Sequence, residues 1–550
     1  MDLECSNHAS IIALQGLTLD ERLLLPSLSE RTPKTCDQNS LPHLKIWRSW
    51  FDHGQPTQTA WKEFLADYGL SEKKLIRLAC LSRAPKRLPS WTATLRHLRD
   101  YLASENVTPN ASISVGENLA VPAVKSAWDA LVASRNGSNS RLLSARAVRA
   151  LQYSLLQRLN RTANQVANWE TLAAKSERSL VPRAGPRLHD NFFSNGVTKE
   201  TIELLNNYPA LARLWTVQIE AWARSVVDFL RHANVFAQDN GLRNAGGRSV
   251  ISFIETDLSD PHEGNRTVMR VSFGEGRDWF YKPRSGLHER EWFSLLRWIN
   301  DKGFARPFKI LDVRCKDRHC WMESVRSQRP RNQDEKRAFH FRLGALVCLI
   351  HFLRGVDFHP ANVIGAGDQP VVIDCETLIH PATTLPECVR AEDSSIRRTG
   401  MLALLKFCLA NSGDQRLVED LIDGFHAMHR FVAQNNLVRR HLKQWGERLR
   451  RVPVRIIYRP TVHYSAMLKA SLLASLMTSG LDRSLYLHAA CRRGVSSTRR
   501  IRAEIHALEN ADIPVFRGKG CRVYPDVSDE TLQKSISTIR AASNAARSSR

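Results

Sequence analysis

A long apolar segment of the chain leads without a break into a polar loop and a second apolar run. Residues 336–354 have the apolar content of a buried helix, and Gly355-Val-Asp-Phe-His-Pro-Ala-Asn362 follows them directly. The later run Val371-Val-Ile-Asp374 predicts a strand, because β-branched residues favour extended backbone. Functional side chains are concentrated on loops that rigid elements hold in place. The sequence therefore predicts a functional loop between a buried helix and a strand.

The periodicity of the chain changes once before this segment. From Leu44 to about Asn240, apolar residues recur at spacings of three and four, as in Trp61-Lys-Glu-Phe-Leu-Ala-Asp-Tyr68, which predicts amphipathic helices. After the glycine-rich stretch 240–248, β-branched and aromatic residues dominate three runs that we predict to be strands. The three runs are Val250–Glu255, Thr267–Phe273 and Trp279–Lys282.

The third of these runs ends at Lys282, and Leu287–Ile299 then resumes helical spacing. Gly274–Asp278 predicts a hairpin turn between the second and third runs. The order strand, strand, lysine, helix is the layout of the amino-terminal lobe of a kinase. Phosphoryl transfer needs a lysine on the nucleotide phosphates, acidic and amide groups that hold magnesium, and a group that orients the nucleophile.

The loop and the second apolar run contain the other groups that this chemistry needs. Asp357, His359 and Asn362 form Asp-x-His-x-x-Asn, in which Asp357 would orient or deprotonate a hydroxyl and Asn362 would hold a metal. Asp374 and Glu376 end the predicted strand, close enough in sequence to share magnesium with Asn362. Each part is weak by itself, since an acidic residue after a strand is often a helix cap. Their order and spacing together favour a kinase-like enzyme.

Composition excludes several other classes of protein. The 550 residues include 79 Lys and Arg against 55 Asp and Glu, which gives a net charge of +24. This charge recurs in short pieces and forms no long basic arm, so nucleic acid is not the expected partner. Two explanations of this charge stay open, an acidic ligand such as a nucleotide, a phosphopeptide or an acidic peptide tail, and a solvated basic surface. The longest apolar run, Leu343–Leu353, is far shorter than the roughly 20 residues that span a bilayer.

Cysteine usage and the amino-terminal residues add two expectations. The cysteines are scattered and include no Cys-x-x-Cys or Cys-His pair, so no zinc site is expected. The first residues carry Asp2, Glu4, Asp20 and Glu21 and lack a basic region before an apolar stretch. No secretory signal is therefore predicted, and the expected location is cytoplasmic.

Six short motifs are spread along the chain: Asp260-Pro-His262, Tyr281-Lys-Pro-Arg284, Gly355-Val-Asp-Phe-His-Pro-Ala-Asn362, Val372-Ile-Asp-Cys-Glu-Thr-Leu378, Arg455-Ile-Ile-Tyr-Arg-Pro-Thr461 and Asp512-Ile-Pro-Val-Phe516. Together they resemble the dehydratase domain of class II, or LanM-type, lanthipeptide synthetases. The resemblance extends to the helical stretches Leu44–Arg48 and Tyr208–Arg213, and it is loosest at about 1–40 and 170–200.

The resemblance implies a fold similar to lipid kinases and a requirement for ATP and Mg²⁺. It also implies a two-step reaction on Ser and Thr of a ribosomally made precursor peptide, composed of leader and core. Phosphorylation comes first, and elimination of phosphate then leaves dehydroalanine or dehydrobutyrine. Carried over by position, the residues for nucleotide, metal and phosphorylation are Lys282, Asp357, His359, Asn362, Asp374 and Glu376, with Asn362, Asp374 and Glu376 as the Mg²⁺ ligands. The residues for elimination are Asp260, His262, Arg455 and Thr461.

Elimination needs a base at the α-proton and cations on the leaving oxygens. The run Val454–Arg459 predicts a strand, which would place Arg455 and Arg459 on one face. Thr461 is predicted at the start of a helix, where backbone N–H groups favour an anion. Two simpler roles stay open, a surface ion pair for Arg459 and a structural role in its tight loop for His262.

These expectations combine into an α/β (α+β) chain. Residues 1–240 form a helical scaffold that contacts the leader peptide, and residues 241–550 form a two-lobed, lipid-kinase-like core. Within the core, the ATP-binding lobe covers about 241–300 and the catalytic loop with the metal strand covers about 336–380. The elimination strand and closing helices cover about 396–550.

The carboxyl end departs from the bifunctional members of the family, which continue into a zinc-dependent cyclase. This chain stops about 35 residues after Asp512-Ile-Pro. The expectation is a dehydratase that works with a separate cyclase or with none, or else a truncated gene product. Two other activities stay open: a peptide kinase that has lost elimination, and a silent remnant that binds the leader. The presence of Arg455 and Thr461 argues against the first of these.

Overall fold

The computed structural model describes residues 10–25, 41–52, 59–81, 88–176, 196–242, 251–381 without 275 and 277, 401–410, and 415–548 without 494, 496, 524 and 526. The described residues are mainly helical and include small sheets, so the architecture is α+β. Most of the glycine-rich stretch 240–248, the first residue of the predicted strand 250–255 and part of the turn 274–278 lie outside the described residues.

Helices account for most of the regular structure, and residues 10–16 form a short one at the start. The others are α1 (Leu19–Leu23), α2 (Leu41–Asp52), α3 (Thr59–Tyr68), α4 (Glu72–Ala79), α5 (Trp91–Ser104), α6 (Val115–Ala133), α7 (Ala145–Ser176), α8 (Val197–Asn207), α9 (Pro209–Asp239), α10 (Leu287–Asp301), α11 (Gln333–Phe352), α12 (Met401–Ala410), α13 (Gln415–Ala433), α14 (Asn436–Leu449), α15 (Thr461–Ala470), α16 (Ala474–Met477), α17 (Gly480–Arg492), α18 (Thr498–Glu509) and α19 (Asp529–Ser548). Two 3₁₀ helices cover Arg135–Leu142 and Pro360–Asn362.

The strands are short and lie mostly in the middle of the chain. They are β1 (Ile251–Glu255), β2 (Met269–Phe273), β3 (Asp278–Lys282), β4 (Val313–Cys315), β5 (Cys320–Glu323), β6 (Val363–Ala366), β7 (Gln369–Val372), β8 (Val454–Ile456) and β9 (Phe516–Gly518). The predicted order of strand, strand, lysine and helix around Lys282 is confirmed by β2, β3 and α10.

The chain forms two compact units. The first unit contains residues 1–267 and 461–514, and the second contains residues 268–460 and 515–550. The functional division that the sequence suggests at residue 240 stays a prediction. Within the described residues, every helix is too short or too polar to cross a membrane.

The first unit is built from helices that share buried aromatic side chains. Trp47, Trp61 and Phe64 of α2 and α3 lie in one buried cluster with Leu481 and Leu485 of α17. This cluster therefore joins helices from opposite ends of the sequence. Burial of apolar surface at about 25 cal/mol per Å² makes such a cluster a main source of stability.

The second unit is organised around the crossing of α11 and α13. A Cβ atom on Gly344 would lie 1.8 Å from the carbonyl oxygen of Leu421, and a Cβ on Gly424 would lie 1.8 Å from that of Phe341. Only glycine at both positions allows the two backbones to approach this closely. The predicted apolar helix at 336–354 is confirmed as α11, which ends at Phe352 and is followed by the loop that contains Asp357.

The strands of the second unit form a small antiparallel sheet in the order β2-β3-β5-β4 and two strand pairs. In the pair β6–β7, β7 ends at Val372, so Asp374 lies just beyond the strand that was predicted to contain it. In the pair β8–β9, only residues Val454–Ile456 of the predicted strand Val454–Arg459 form β8. The predicted strand Val454–Arg459 is therefore too long, because its partner β9 offers only three residues to pair with.

Candidate active site

A buried ion pair lies at the end of β3 in the second unit. Lys282 is 5% exposed, and its Nζ donates to Glu289 Oε1 at 2.9 Å and to the carbonyl of Ile373 at 2.5 Å. Glu289 is fully buried in the first turn of α10. Burial alone would lower the pKa of Lys282, but attraction to Glu289 leaves that pKa above its ordinary value. Lys282 therefore carries its positive charge inside the protein.

Arg284 connects this pair to the segment that follows β7. Its Nη2 lies 2.6 Å from Glu289 Oε1 and 2.9 Å from Asp374 Oδ1, and its Nε lies 3.4 Å from Glu376 Oε2. A guanidinium is a rigid fork of donors, so it can hold several carboxylates in fixed geometry. No role for Arg284 is predicted from the sequence, although this residue lies in the same motif as Lys282. Arg284 joins predicted site residues from two separate motifs.

The loop after α11 has a backbone fixed by hydrogen bonds. Asp357 has a φ of 64°, in the left-handed region that residues other than glycine rarely adopt. The carbonyl of Asp357 accepts from Asn362 Nδ2 at 2.8 Å and from the His359 N–H at 3.2 Å. Thr377 Oγ1 donates to the carbonyl of Val356 at 2.5 Å and ties the loop to the segment after β7. Backbone conformations of this kind persist where the surroundings hold them, and they are concentrated at functional sites.

The Asp357 carboxyl lies among groups of both charges. Burial raises the pKa of Asp357, and the nearby Asp374 and Glu376 raise it further, whereas His359 and Arg455 act in the opposite direction. The net direction is upward. His359 Nε2 is 3.8 Å from Asp357 Oδ1. A carboxylate is a stronger base when its pKa is raised, and a general base works best when its pKa lies near the working pH.

Glu376 is surrounded by three arginines. Its Oε1 accepts from Arg455 Nη1 at 2.8 Å, and its Oε2 lies 3.4 Å from Arg284 Nε and 3.9 Å from Arg517 Nη1. Burial opposes ionisation, but these cations lower the pKa of Glu376 to about 2. Arg455 and Arg517 are opposite each other in the β8–β9 ladder. Arg517 is not among the site residues predicted from the sequence, because the sequence of one strand does not show which strand pairs with it.

The three predicted Mg²⁺ ligands are not equivalent in this arrangement. Asn362 uses its Nδ2 as a donor to the protein, so its amide oxygen is the atom that suits a cation. The Asp374 side chain is 32% exposed and shares one oxygen with Arg284, whereas both oxygens of Glu376 are directed at arginines. Mg²⁺ takes oxygen ligands, often one or two carboxylates together with substrate phosphates. Asn362 and Asp374 fit that chemistry as they stand, whereas Glu376 would first have to release an arginine.

No ready-made protein metal cage accompanies these oxygens. Across the part of the chain that the structure describes, no three His, Cys, Asp or Glu side chains converge as a metal site. Sites that bind Mg²⁺ through a nucleotide do not need such a cage, because phosphates and water complete the coordination.

The Asp260–His262 loop lies in the first unit and is held by backbone hydrogen bonds. His262 and Arg266 exchange backbone hydrogen bonds of 3.0 Å, which closes the loop. The Nδ1 atom of His262 lies 3.0 Å from the carbonyl of Ile513, and Asp512 Oδ2 accepts from the Gly264 N–H at 2.7 Å. Since a carbonyl only accepts, Nδ1 carries the proton and Nε2 carries the lone pair in the neutral ring. Two predicted motifs, Asp260-Pro-His262 and Asp512-Ile-Pro-Val-Phe516, therefore meet in this unit.

Arg158 of α7 fixes the other side of this loop. Its Nη2 forms an ion pair of 2.7 Å with Asp257 Oδ1, and its Nη1 donates to the carbonyl of Asn265 at 2.6 Å. Arg158 also donates to Thr267 Oγ1 at 3.3 Å. Burial opposes the charge of Asp257, but Arg158 holds the pKa of that carboxyl below its ordinary value. A buried arginine far away in sequence thus sets the path of the chain on both sides of His262.

The remaining predicted residues are placed separately. Asp260 is exposed, and Thr461 is the first residue of α15. Arg455 lies in β8 and belongs to the Glu376 cluster of the second unit. Arg459 lies beyond the end of β8 at Ile456, so the predicted sharing of one strand face by Arg455 and Arg459 is wrong.

Comparison with known proteins identifies the family. A family model described as a domain of unknown function, DUF4135, matches residues 208–416 and 410–519. The lacticin 481/lactococcin biosynthesis protein LcnDR2 of Lactococcus lactis subsp. lactis is 22% identical to this chain over 129 residues. That match covers 22% of this chain and 14% of the relative, so it spans a small part of that protein. The family match covers more than half of the chain, and the chain therefore belongs to the DUF4135 family, which is associated with LanM-type lanthipeptide synthetases.

Proposed function

We propose that this protein dehydrates Ser and Thr residues of a lanthipeptide precursor in two steps, an ATP-dependent phosphorylation and an elimination of phosphate. The observation that carries the proposal is the buried network in which Arg284 joins Lys282, Glu289 and Asp374. The layout of β2, β3, Lys282 and α10 supports a lipid-kinase-like core. Membership in a family associated with lanthipeptide synthetases supports a peptide substrate.

In the first step, Lys282 supplies positive charge to the nucleotide phosphates, and Glu289 keeps the lysine in place. Asn362 and Asp374 would hold Mg²⁺, which would neutralise the charge that develops on the phosphates. Asp357 takes the proton of the Ser or Thr hydroxyl, and the hydroxyl oxygen attacks the γ-phosphorus of ATP. The bond from that phosphorus to the bridging oxygen breaks, and ADP leaves.

In the second step, a base removes the α-proton of the phosphorylated residue and phosphate leaves from the β-carbon. The two electrons of the C–H bond form the double bond of the dehydro residue. We assign His262 the role of base, because imidazole is a common general base and the neutral ring, with its proton on Nδ1 towards the carbonyl of Ile513, carries its lone pair on Nε2. Arg455 provides a cation and Thr461 a helix start, and both features favour the leaving phosphate.

The proposal is tested with a small peptide encoded beside this gene that has a Ser-, Thr- and Cys-rich end. Incubation with ATP and Mg²⁺ should remove the mass of one water for each modified residue, as read by mass spectrometry. The Asp357→Asn variant should give no change. A product that only gains phosphoryl groups would identify a peptide kinase without elimination. An unchanged mass with wild-type protein, together with leader binding, would identify a silent leader-binding protein and overturn the proposal.

Nucleotide binding is tested separately by titration calorimetry with Mg²⁺ and ATP. Lys282→Met should weaken binding by more than tenfold, because a desolvated lysine–phosphate contact is worth more than about 1.4 kcal/mol. Lys309→Met is the matched control, since the Lys309 side chain is exposed. Equal affinities for the two variants would remove Lys282 from the proposed site.

The proposed reaction uses ATP and takes a precursor peptide as its partner. A cytoplasmic location is part of the same proposal.

A further inference from the structure

Two cysteines lie opposite each other at the end of the β4–β5 hairpin. Cys315 and Cys320 are direct partners in the antiparallel register. The Lys316 N–H donates to the carbonyl of His319 at 2.9 Å, so the neighbouring pair is the hydrogen-bonded one. Cys315 and Cys320 are therefore a non-hydrogen-bonded pair, in which opposite Cα atoms are about 4.5 Å apart. Disulfides need Cα atoms about 4.4–6.8 Å apart, so this backbone accepts one without rearrangement.

The two sulfurs converge on a single glycine. A Cβ atom on Gly286 would lie 2.2 Å from Cys320 Sγ and 3.2 Å from Cys315 Sγ. Both sulfurs thus cover the same backbone carbon, and the two thiols hydrogen-bond to each other. Both are free in the structure, whereas Cys80 is disulfide-bonded.

The members of the pair differ in exposure and in reactivity. Cys315 is partly exposed, and Cys320 is fully buried. The hydrogen bond from Cys320 lowers the pKa of the Cys315 thiol, and the same contact together with burial raises the pKa of Cys320. The thiolate is the form that attacks a disulfide. Cys315 is accessible for the first attack, and Cys320 is placed to resolve its product.

We propose that Cys315 and Cys320 form a site of reversible oxidation by small-molecule disulfides such as oxidised glutathione. The Cys315 thiolate attacks one sulfur of the oxidant, which forms a mixed disulfide and releases one glutathione thiolate. Cys320 gives up its proton and attacks the Cys315 sulfur, and the second glutathione leaves as a thiol. Two protein thiols are oxidised to one disulfide, and the oxidant is reduced to two thiols.

The position of this pair gives its oxidation a structural consequence. Cys320 is the cross-strand neighbour of Lys282 in the β3–β5 register. Gly286, which both sulfurs contact, is the residue before α10, and Glu289 lies in the first turn of that helix. A disulfide brings the sulfurs to about 2.05 Å, so their packing against Gly286 changes. Backbone amides at the start of α10 should therefore exchange hydrogen at a different rate in the oxidised protein.

The proposal is tested on the full chain in mixtures of reduced and oxidised glutathione. After the remaining thiols are alkylated, trypsin cuts the hairpin loop at Lys316 and Arg318, and the oxidised form yields disulfide-linked peptides. Cys320→Ser should instead retain one glutathione on Cys315, because no thiol is left to resolve the mixed disulfide. Cys521→Ser is the matched control, since Cys521 is also partly exposed, and it should form the Cys315–Cys320 bond normally.

Three results would overturn the proposal. The first is equal alkylation of Cys315 and Cys320 before and after oxidant. The second is glutathione uptake at Cys315 of the Cys320→Ser variant that is no greater than uptake at Cys521 of the same variant. The third is a bond that cannot be reversed by reduced glutathione. Circular dichroism checks that the serine variants fold, and if one does not, the peptide map of the wild-type chain decides. None of these measurements depends on the dehydratase activity.

Discussion

Two regions of the molecule carry most of the predicted site residues, and they are held in place by different forces. The Lys282 cluster of the second unit is a network of buried ion pairs in which Glu289 and Glu376 each contact more than one cation. The His262 loop of the first unit is held mainly by hydrogen bonds to backbone atoms, together with the ion pairs Arg158–Asp257 and Arg266–Asp228.

This difference predicts how each region responds to substitution. Removal of one partner from a buried ion pair leaves an uncompensated charge and costs about 3–5 kcal/mol. A typical hydrogen bond contributes only about 0.5–1.5 kcal/mol, and the loop has several of them. We therefore expect the cluster to fail when one side chain is lost, and the loop to weaken in smaller steps.

Glu289→Ala tests this expectation at the point of the largest effect. Glu289 is the buried carboxylate that both Lys282 and Arg284 contact, so its removal leaves two buried cations with less negative charge. The free energy of unfolding should fall by about 3–5 kcal/mol in denaturant titration. Glu291→Ala on the same helix is the control, because its ion pair with Arg290 is at the surface and should contribute at most about 1 kcal/mol. Similar losses for both variants would contradict the idea that buried charge holds the cluster.

The pH dependence of stability gives a second test of the cluster. Three arginines lower the pKa of Glu376 from 4.5 to about 2 in the folded protein, against the effect of burial. The folded state thus favours the carboxylate, and this stabilisation is complete above about pH 4.5 and is lost as pH falls towards 2. The free energy of unfolding should exceed that of Glu376→Gln by about 3 kcal/mol near neutral pH. The difference between the two proteins should shrink steadily below pH 4.5. A difference that stays constant with pH would mean that the charge of Glu376 does not stabilise the fold.

Arg158→Met applies the same reasoning to the first unit. The variant loses the ion pair with Asp257 and the hydrogen bonds to Asn265 and Thr267, and we expect a loss of about 1–3 kcal/mol. Backbone amides near His262 should exchange hydrogen faster, whereas those of the Lys282 cluster should not. Arg161→Met on the same helix is the control, because the Arg161 side chain is exposed. Unchanged exchange near His262 would show that the hydrogen bonds to residues 512–513 hold the loop without Arg158.

The two regions also differ in how much of them the sequence predicts. The order of β3, Lys282 and α10 follows from local periodicity, and the Asp357 loop follows from the apolar helix before it. The role of Arg284 is visible only in the folded structure, because its partners Asp374 and Glu376 lie some 90 residues further along the chain. Arg158 and Asp257 are 99 residues apart in the sequence, and the local sequence around either residue does not predict their contact.

The strand β8 shows why the length predicted for it from the sequence was wrong. Val454–Arg459 has the apolar and aromatic pattern of a strand, but strand length depends on the partner as well as on propensity. The partner β9 ends after three residues, and the ladder ends with it. The same pairing places Arg517 opposite Arg455, a relation that depends on which two segments meet and not on the composition of either.

Arg517→Ala has the smallest expected effect on stability and the most specific one on chemistry. Arg517 lies 3.9 Å from Glu376 and its side chain is 30% exposed, so its loss should cost less than about 1 kcal/mol. If the proposed dehydration is correct, Arg517 adds a second cation beside Arg455 where phosphate departs. The variant should then phosphorylate the precursor at the wild-type rate but eliminate phosphate at least about tenfold more slowly, because charge on the leaving oxygens is less well stabilised.

Arg522→Ala is the matched control, with an ion pair of the same 3.9 Å length to Glu447 on an exposed surface. Phosphorylated precursor that accumulates with Arg517→Ala and not with Arg522→Ala would assign Arg517 to elimination, whereas equal product distributions would leave it an outer member of the ion-pair network.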